Sequence, residues 1–539
     1  MTSFDETYRT AYGFDVPSID VGHVLREGSP AAELPIRIPL RMMNRHGMIA
    51  GSTGTGKTRT LQLFAEELSR NGVPVFLADV KGDLAGMSVA GEASERLVAR
   101  AKAVGRTFTP EAFPVEFFSL TGNRGIQVRA TVSSFGPVLL GKVLDLTDVQ
   151  QSVLAMVFKY CDDRRMPLLD FDDLRDVLTY LVGEGKAELK EYGGMSTATV
   201  GVLVRKMVEL EQQGAARFFG EPELDINDLM RNVGGKGVVN ILSLADVQDK
   251  PRLYSTFLMW LLGQFYYRMP EVGDPDKPKL VFFFDEAHLL FDDASSALVE
   301  HIEQVARLIR SKGIGVFFIT QTPKDVDEDV LAQLGNRVQH AIRAFTPKDA
   351  KNVKATASTF PPSDHVDVVK SLTTLGIGEA LVTILDPKGV PTVVAPAQVL
   401  APSSSMTAVD DAQYQRVLAA SQLAPKYANA INRESAHEIL QQKLAASAER
   451  EPEPEEQAPQ TQASGGDFDW QRGGGSAQDD DFAWRNSGGR RRASAPAPRR
   501  ASAGRPRQSM AEKAVNQAVR TVAREGMREV MRGIFGLLK

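Results

Sequence analysis

At 539 residues the chain is too long for one compact core and has room for two or three units. Its 43% hydrophobic and 24% charged content is that of a soluble globular protein, and a net charge of −5 excludes a globally basic nucleic-acid binder. A single cysteine, Cys161, excludes an intramolecular disulfide framework and fits a reducing compartment. The first twenty residues carry acids and no apolar stretch, so no signal peptide is expected, and no run approaches the ~18 apolar residues of a membrane span. Together these point to the cytoplasm.

Residues 1–40, with Pro17, Pro30, Pro35 and Pro39, are too few for a domain and read as an N-terminal arm or edge strand. Over 41–135 the pattern is α/β. An apolar approach enters a Gly-rich turn, a helix follows from Thr58 to about Arg70, and strands are expected at Pro74–Asp79, Val115–Leu120 and Val128–Val132. From 136 to 235 apolar residues recur at three- and four-residue steps (Leu139, Leu140, Val143; Val153, Val157, Tyr160; Leu174, Val177, Leu178, Leu181), which predicts an all-helical insertion.

Strands return over 236–400, at Gly237–Leu242, Leu280–Asp285, Gly315–Thr320, Val338–Phe345 and Glu379–Leu385. The run LVFFF is apolar without alternation, as a central parallel strand covered on both faces should be. The fold class expected is therefore α/β with a mainly parallel sheet.

Past 400 the chain is expected to loosen, with a helical extension over 401–448. A low-complexity linker over 449–509 is too poor in apolar residues to order, and an amphipathic helix is expected over 510–539.

Gly51-Ser52-Thr53-Gly54-Thr55-Gly56-Lys57-Thr58 fits G-x-x-x-x-G-K-[ST], preceded by an apolar strand and followed by a helix. The glycines let backbone N–H groups wrap a phosphate chain. Lys57 is placed for the β- and γ-phosphates of ATP, and Thr58 for Mg²⁺. Asp285 and Glu286 follow a buried strand, at the edge where open α/β sheets bind ligands. Asp285 suits the metal shell and Glu286 the polarisation of an attacking water, against the plainer alternative of two solvated acids opening a helix. Gln321 leaves its strand on the same edge, where its amide can sense a γ-phosphate. Asp83, in Asp79-Val-Lys-Gly-Asp83, is either part of the metal and water network or an ordinary turn residue.

At these residues the chain resembles the HerA/FtsK family of P-loop ATPases, and within it the bacterial group with a HerA-like helicase domain. The matching segments are HGMIAGSTGTGKT (46–58), ADVKGD (78–83), FFDEAH (283–288) and IGVFFITQTPKDV (314–326), and the resemblance spans roughly 41–400. It implies a RecA-like P-loop NTPase core, a homo-hexamer with ATP sites between subunits, and DNA as the translocated polymer. It also implies an arginine finger from the neighbouring subunit, for which Arg310 is the best match and Arg307 the second. The forty residues that precede the matching segments are not expected to make the N-terminal β-barrel of archaeal HerA proteins.

The tail holds eight arginines between Arg485 and Arg507 and no acid, with Trp470 and Trp484 nearby. It reads either as a solvated linker or as a salt-sensitive phosphate contact with stacking tryptophans. The terminal helix, with an apolar and an arginine stripe, fits a membrane surface or docking on another subunit or partner, and Glu512, Glu525 and Glu529 in its basic face favour docking. A DNA translocase or helicase is the leading functional expectation; an ATP-driven protein remodelling factor or a slow nucleotide switch is the alternative.

Overall fold

A computed structural model of the chain describes residues 3–291 and 296–448. The linker and terminal helix expected over 449–539, with Arg485–Arg507, Trp470 and Trp484, lie outside the described residues. In chain order the lead supplies α1 (Phe4–Tyr12) and the hairpin β1 (Ser18–Arg26) and β2 (Ser29–Pro39). Then come β3 (Gly47–Ala50), α2 (Lys57–Arg70), β4 (Val75–Asp79), α3 (Glu95–Ala103), β5 (Val115–Ser119) and β6 (Ile126–Gln127). Four helices follow: α4 (Val132–Val143), α5 (Asp148–Asp163), α6 (Phe171–Val182) and α7 (Thr197–Gln212). A small hairpin, β7 (Asn232–Val233) and β8 (Lys236–Gly237), leads into β9 (Val239–Ser243), α8 (Pro251–Arg268) and β10 (Leu280–Phe284). Next are α9 (His288–Phe291), α10 (Ser296–Leu308), β11 (Ile314–Thr320), α11 (Glu328–Leu331) and β12 (Asn336–His340). The described chain closes with α12 (Pro347–Ala357), α13 (Val368–Thr374), β13 (Glu379–Thr383), β14 (Ala395–Val399), α14 (Asp411–Ala419), α15 (Ala424–Tyr427) and α16 (Ala436–Ala448).

Twelve strands form one sheet in the order β2-β1-β14-β13-β12-β3-β11-β10-β4-β9-β5-β6. From β12 to β6 every neighbouring pair is parallel; β13, β14, β1 and β2 add antiparallel pairs on the other side. The outermost strand at that end, β2, carries Pro30, Pro35 and Pro39. Central β10 is buried at all five positions. Leu280, Phe282 and Phe284 join the apolar cluster on one face, with Phe257 and Phe265 of α8; Val281 and Phe283 join the cluster on the other, with Phe64 of α2. A buried side chain of this size contributes about 1.5–3 kcal/mol through burial, so the unbroken LVFFF run reflects cover on both faces. No described helix is long and apolar enough to cross a membrane.

Three expectations need correction. Val128–Val132 is not a strand: the ladder ends at Gln127, and the Thr131 side chain accepts the Ser134 N–H as the N-cap of α4. A β-branched stretch was overruled there by a cap. β12 stops at His340, short of Phe345, because the Ala341 carbonyl turns to the Ser52 N–H (2.9 Å) and the Ile342 N–H to the Leu372 carbonyl (2.8 Å). The chain also does not loosen at 400. Buried Glu66 of α2 accepts from the N–H groups of Ser403 (2.7 Å) and Ser404 (2.9 Å), and the Tyr414 ring stacks on Phe117 at 4.0 Å.

Helix α16 docks on α6. The His437 N–H donates to Asp173 (2.8 Å) and its Nδ1 lies 2.5 Å from Asp176. The hydrogen bond to Asp176 holds the imidazole pKa above its usual value, with Glu438 and Asp173 adding in the same sense. A raised histidine pKa gives stability that is fully present below the unfolded pKa and is lost as pH rises through the folded one. Hydrogen exchange, corrected for intrinsic rate, should show α16 amides a few-fold better protected at pH 6 than at pH 8, and His437→Ala should remove that difference. An unchanged pH response in the variant would exclude this pair as its source.

Candidate functional site

Neighbouring parallel strands end together, and that alone gathers the site. β3 lies between β12 and β11, and β10 lies beyond β11. In register, Ala50 faces Thr320 and Phe318 faces Phe284, so the residues that follow (Gly51, Gln321, Asp285) leave the sheet on one edge. The Gly51 N–H lies 3.2 Å from both the Thr320 and Gln321 carbonyls, and the Ala287 N–H donates to Ile319 at 2.8 Å. Three strands thus bring the P-loop, the Asp285–Glu286 pair and Gln321 to one place.

The loop from Gly51 to Gly56 rests on β12. The Ser52 N–H donates to Ala341, the Arg343 N–H donates to Ser52 Oγ (2.9 Å), and the Gly378 N–H donates to the Thr55 carbonyl (2.9 Å). Beneath it the buried His340 ring spans the Thr60 hydroxyl (2.8 Å) and the Glu379 carbonyl (2.8 Å). Burial pushes that imidazole down to about 4, so it is a neutral strut at physiological pH. A Cβ at Gly51, where φ is +152°, would come within 2.6 Å of His340 Cβ, so only glycine fits. Thr53 and Gly54 form the exposed tip of the loop, whereas Lys57 is buried and Thr58 half-buried at the start of α2.

Lys57 Nζ donates to the Gly51 carbonyl at 2.6 Å, folded back across the loop it closes. Desolvation lowers its pKa, which Glu286 and Asp285 partly offset. Burial pushes the Asp285 carboxyl up to about 7; its Oδ1 accepts the Glu286 N–H (2.9 Å), and its Oδ2 is buried without a hydrogen-bond partner. A carboxylate oxygen kept dry and unpaired beside a lysine is costly unless a cation completes it. That single oxygen donor, with no cluster of three or more metal-ligating side chains among the described residues, fits a hard cation that takes most of its ligands from water and a bound anion.

Glu286 has φ +46°, an uncommon conformation for a non-glycine residue, and its side chain is nearly buried. Its Oε1 lies 2.5 Å from Lys81 Nζ and its Oε2 3.4 Å from His288 Nδ1. Lys81 stands on a turn fixed by Asp79, whose carboxylate accepts the N–H groups of Lys81 (3.2 Å), Gly82 (2.7 Å) and Leu84 (3.1 Å). Burial raises Asp79 to about 6 despite those three donors. Asp83, on the same turn, is 3.9 Å from Arg59 and has a buried Oδ1 with no hydrogen-bond partner.

Arg310 is elsewhere. It is exposed and stands just before β11, at the opposite end of that strand from Gln321. Seven strand residues separate the two, about 23 Å at ~3.3 Å per residue. Arg310 lines a cavity of about 520 Å³ with Arg45, Arg307 and Arg337. Arg45 pairs with Asp274 (3.0 Å), Arg307 with Glu303 (3.7 Å), and Arg337 donates to three backbone carbonyls. Among the described residues the Arg310 guanidinium alone of the four has no ion-pair or hydrogen-bond partner.

Sequence reasoning passed over Lys81, His340 and Gly378. Lys81 was legible, being inside a motif already singled out. A lone histidine ending an apolar strand and a glycine before another strand gave no signal of contact with a loop some 300 positions away.

The family described as Helicase HerA-like C-terminal matches residues 25–539. The DNA double-strand break repair helicase HerA of Sulfurisphaera tokodaii is 22% identical over 355 residues, covering 65% of this chain and 64% of that protein. Its counterpart from Saccharolobus solfataricus is 21% identical over 383 residues, covering 70% and 68%. The chain thus spans about two thirds of the length of these relatives. Among solved structures, the bacterial conjugative coupling protein TrwBdeltaN70 superposes with a TM-score of 0.48 at 14% identity, covering 76% of this chain and 95% of that one. VirB4 of Thermoanaerobacter pseudethanolicus gives 0.43 at 15% identity, covering 75% and 99%.

Proposed function

We propose, because this chain belongs to the HerA-like helicase family, that it is a cytoplasmic Mg²⁺-dependent ATPase working as a ring-forming DNA translocase or helicase. The observation that carries the reading is the meeting of Lys57, Asp285, Glu286 and Gln321 at the ends of three adjacent parallel strands. Gly51–Thr58 would cradle the phosphates of ATP with backbone N–H groups. Lys57 would exchange the Gly51 carbonyl for the β- and γ-phosphates. Thr58 and Asp285 would hold Mg²⁺, whose charge would neutralise the phosphate oxygens.

Glu286 would orient and deprotonate water in line with the γ-phosphate, and for that its carboxylate has to leave Lys81. Gln321 would contact that water and the γ-phosphate together. Arg310 would serve the site of the next subunit in a homo-hexamer, since its own site is a strand length away. The names of the curated relatives support DNA as the substrate.

The test is ATP turnover with and without double-stranded DNA, alongside mass measurement of the assembly. Stimulation of at least several-fold by DNA, in an assembly of six copies, is the expected result. Turnover indifferent to DNA would favour a protein remodelling factor or a slow nucleotide switch, and a protein that stays monomeric with nucleotide would sink the ring.

A further inference from the structure

Glu286 is held from the wrong side for its task. The strand order β3-β11-β10-β4 puts the phosphate loop after β3 and the turn after β4 on opposite sides of β10. Ala78 of β4 is in register with Phe284 of β10, which sets the Lys81 turn beside Glu286. Lys81 Nζ lies 2.5 Å from Glu286 Oε1 and draws the carboxylate toward β4, whereas a γ-phosphate over the loop lies toward β3. The other oxygen is no substitute. Oε2 is buried without a hydrogen-bond partner, and His288 Nδ1 stays at 3.4 Å. A water that is to lose its proton has to come within ~2.6–3.2 Å of a carboxylate oxygen. Here one oxygen is taken and the other is covered.

Both backbones are fixed, so the contact ends only by rotation of side chains. The Asp79 carboxylate ties the Lys81 turn through three N–H groups, and the Gln248 side chain donates to the Val80 carbonyl (2.7 Å). On the other strand the Glu286 N–H donates to Asp285 Oδ1 and the Ala287 N–H to the Ile319 carbonyl. Desolvation of Lys81 is outweighed by the Glu286 carboxylate, which keeps the ammonium pKa above its usual value, so the charge persists at physiological pH. Yet the Lys81 side chain is 49% exposed and that of Glu286 only 12%. A pair with one member this open adds little to stability. It leaves the lysine within reach of an anion that cannot reach the carboxylate.

We propose that Lys81 is a positioning residue that restrains hydrolysis, holding Glu286 off the attacking water until a phosphate oxygen from outside the nucleotide takes its ammonium. The proposal rests on the ATPase reading above and adds a point of control to it. The phosphates of a DNA strand lying over this edge of the sheet are anions of the required kind. Once the ammonium has moved to them, the carboxylate is free to turn toward β11 and the water. Nucleotide affinity does not change in the exchange, because Lys57, and not Lys81, closes the phosphate loop.

Turnover of the full chain at saturating ATP, first without DNA, tests the restraint. Lys81→Met removes the charge and should raise basal kcat about three- to fivefold, the reach of a partly screened ion pair, with KM for ATP unchanged. Loss of a contact that only supported the fold would lower activity instead. Lys81→Arg should stay restrained, and Lys81→Met combined with Glu286→Gln should stay inactive, which places the gain in Glu286. Moderate salt should lift the basal kcat of the wild type by screening the pair and leave that of Lys81→Met flat. Random-sequence duplex DNA should then stimulate the wild type and add little to Lys81→Met. A basal kcat that is unchanged or lower in Lys81→Met overturns the proposal, and so does a wild-type kcat that ignores salt. DNA that stimulates both proteins equally, or neither, overturns release by DNA phosphates. A wild-type chain that hydrolyses no ATP under any of these conditions overturns the ATPase reading itself.

Discussion

Glu286→Gln is expected to retain Mg·ATP and to lower turnover by ~10²–10⁴-fold, the usual contribution of a positioned general base. The amide keeps the size of the carboxylate but cannot take a proton from water. The phosphate cradle keeps its own donors, because Lys57 donates to the Gly51 carbonyl in the free protein and makes no hydrogen bond to Glu286. Lys57→Ala should behave differently and lose both affinity and turnover, since the phosphates lose their cation. Binding titrations and single-turnover hydrolysis on the two variants distinguish the roles. A Glu286→Gln protein that hydrolyses ATP near the wild-type rate would remove Glu286 from the mechanism and leave its ion pair with Lys81 as a structural contact.

Arg310→Ala should bind ATP normally and lose ~10³–10⁵-fold in rate, the range for an arginine that stabilises charge on a transferring phosphoryl group. Its placement makes the prediction specific. A side chain at the far end of β11 does not reach Gln321 in its own subunit, so its effect must pass between copies. Mixing Arg310→Ala with Lys57→Ala should therefore recover measurable turnover, as one copy supplies the arginine and the other the intact loop. Mixtures that co-assemble and remain inactive at every ratio would rule out action in trans. Arg307→Ala should have a much smaller effect, since that guanidinium is already near Glu303.

The sheet and the chemical motifs were readable because both are local. LVFFF states its own burial, and the P-loop and DEAH segments are contiguous runs whose spacing carries their chemistry. What the sequence hid is long-range. The brace under the P-loop depends on Ala341, His340 and Gly378, and the clamp on Ser403 and Ser404 depends on Glu66 more than 330 residues earlier. Each joins residues that are ordinary where they stand and meaningful only once strand order is known. Local competition explains the misplaced elements. Val128–Val132 has strand composition, but the Thr131 side chain offers its backbone a helix start, and polar caps outweigh weak β-propensity over five residues.

The ends of the twelve-stranded sheet bear on how copies of the chain can meet. At one end Pro30, Pro35 and Pro39 remove three N–H donors from β2, and at the other β6 offers only Ile126 and Gln127. Neither margin is a template on which a second copy could continue the ladder. Growth by strand addition, the route to open fibrils, is thereby discouraged at both margins. Association of copies is left to surfaces made by loops and helices, where the rotation between neighbours, and not a shared ladder, decides whether an assembly closes.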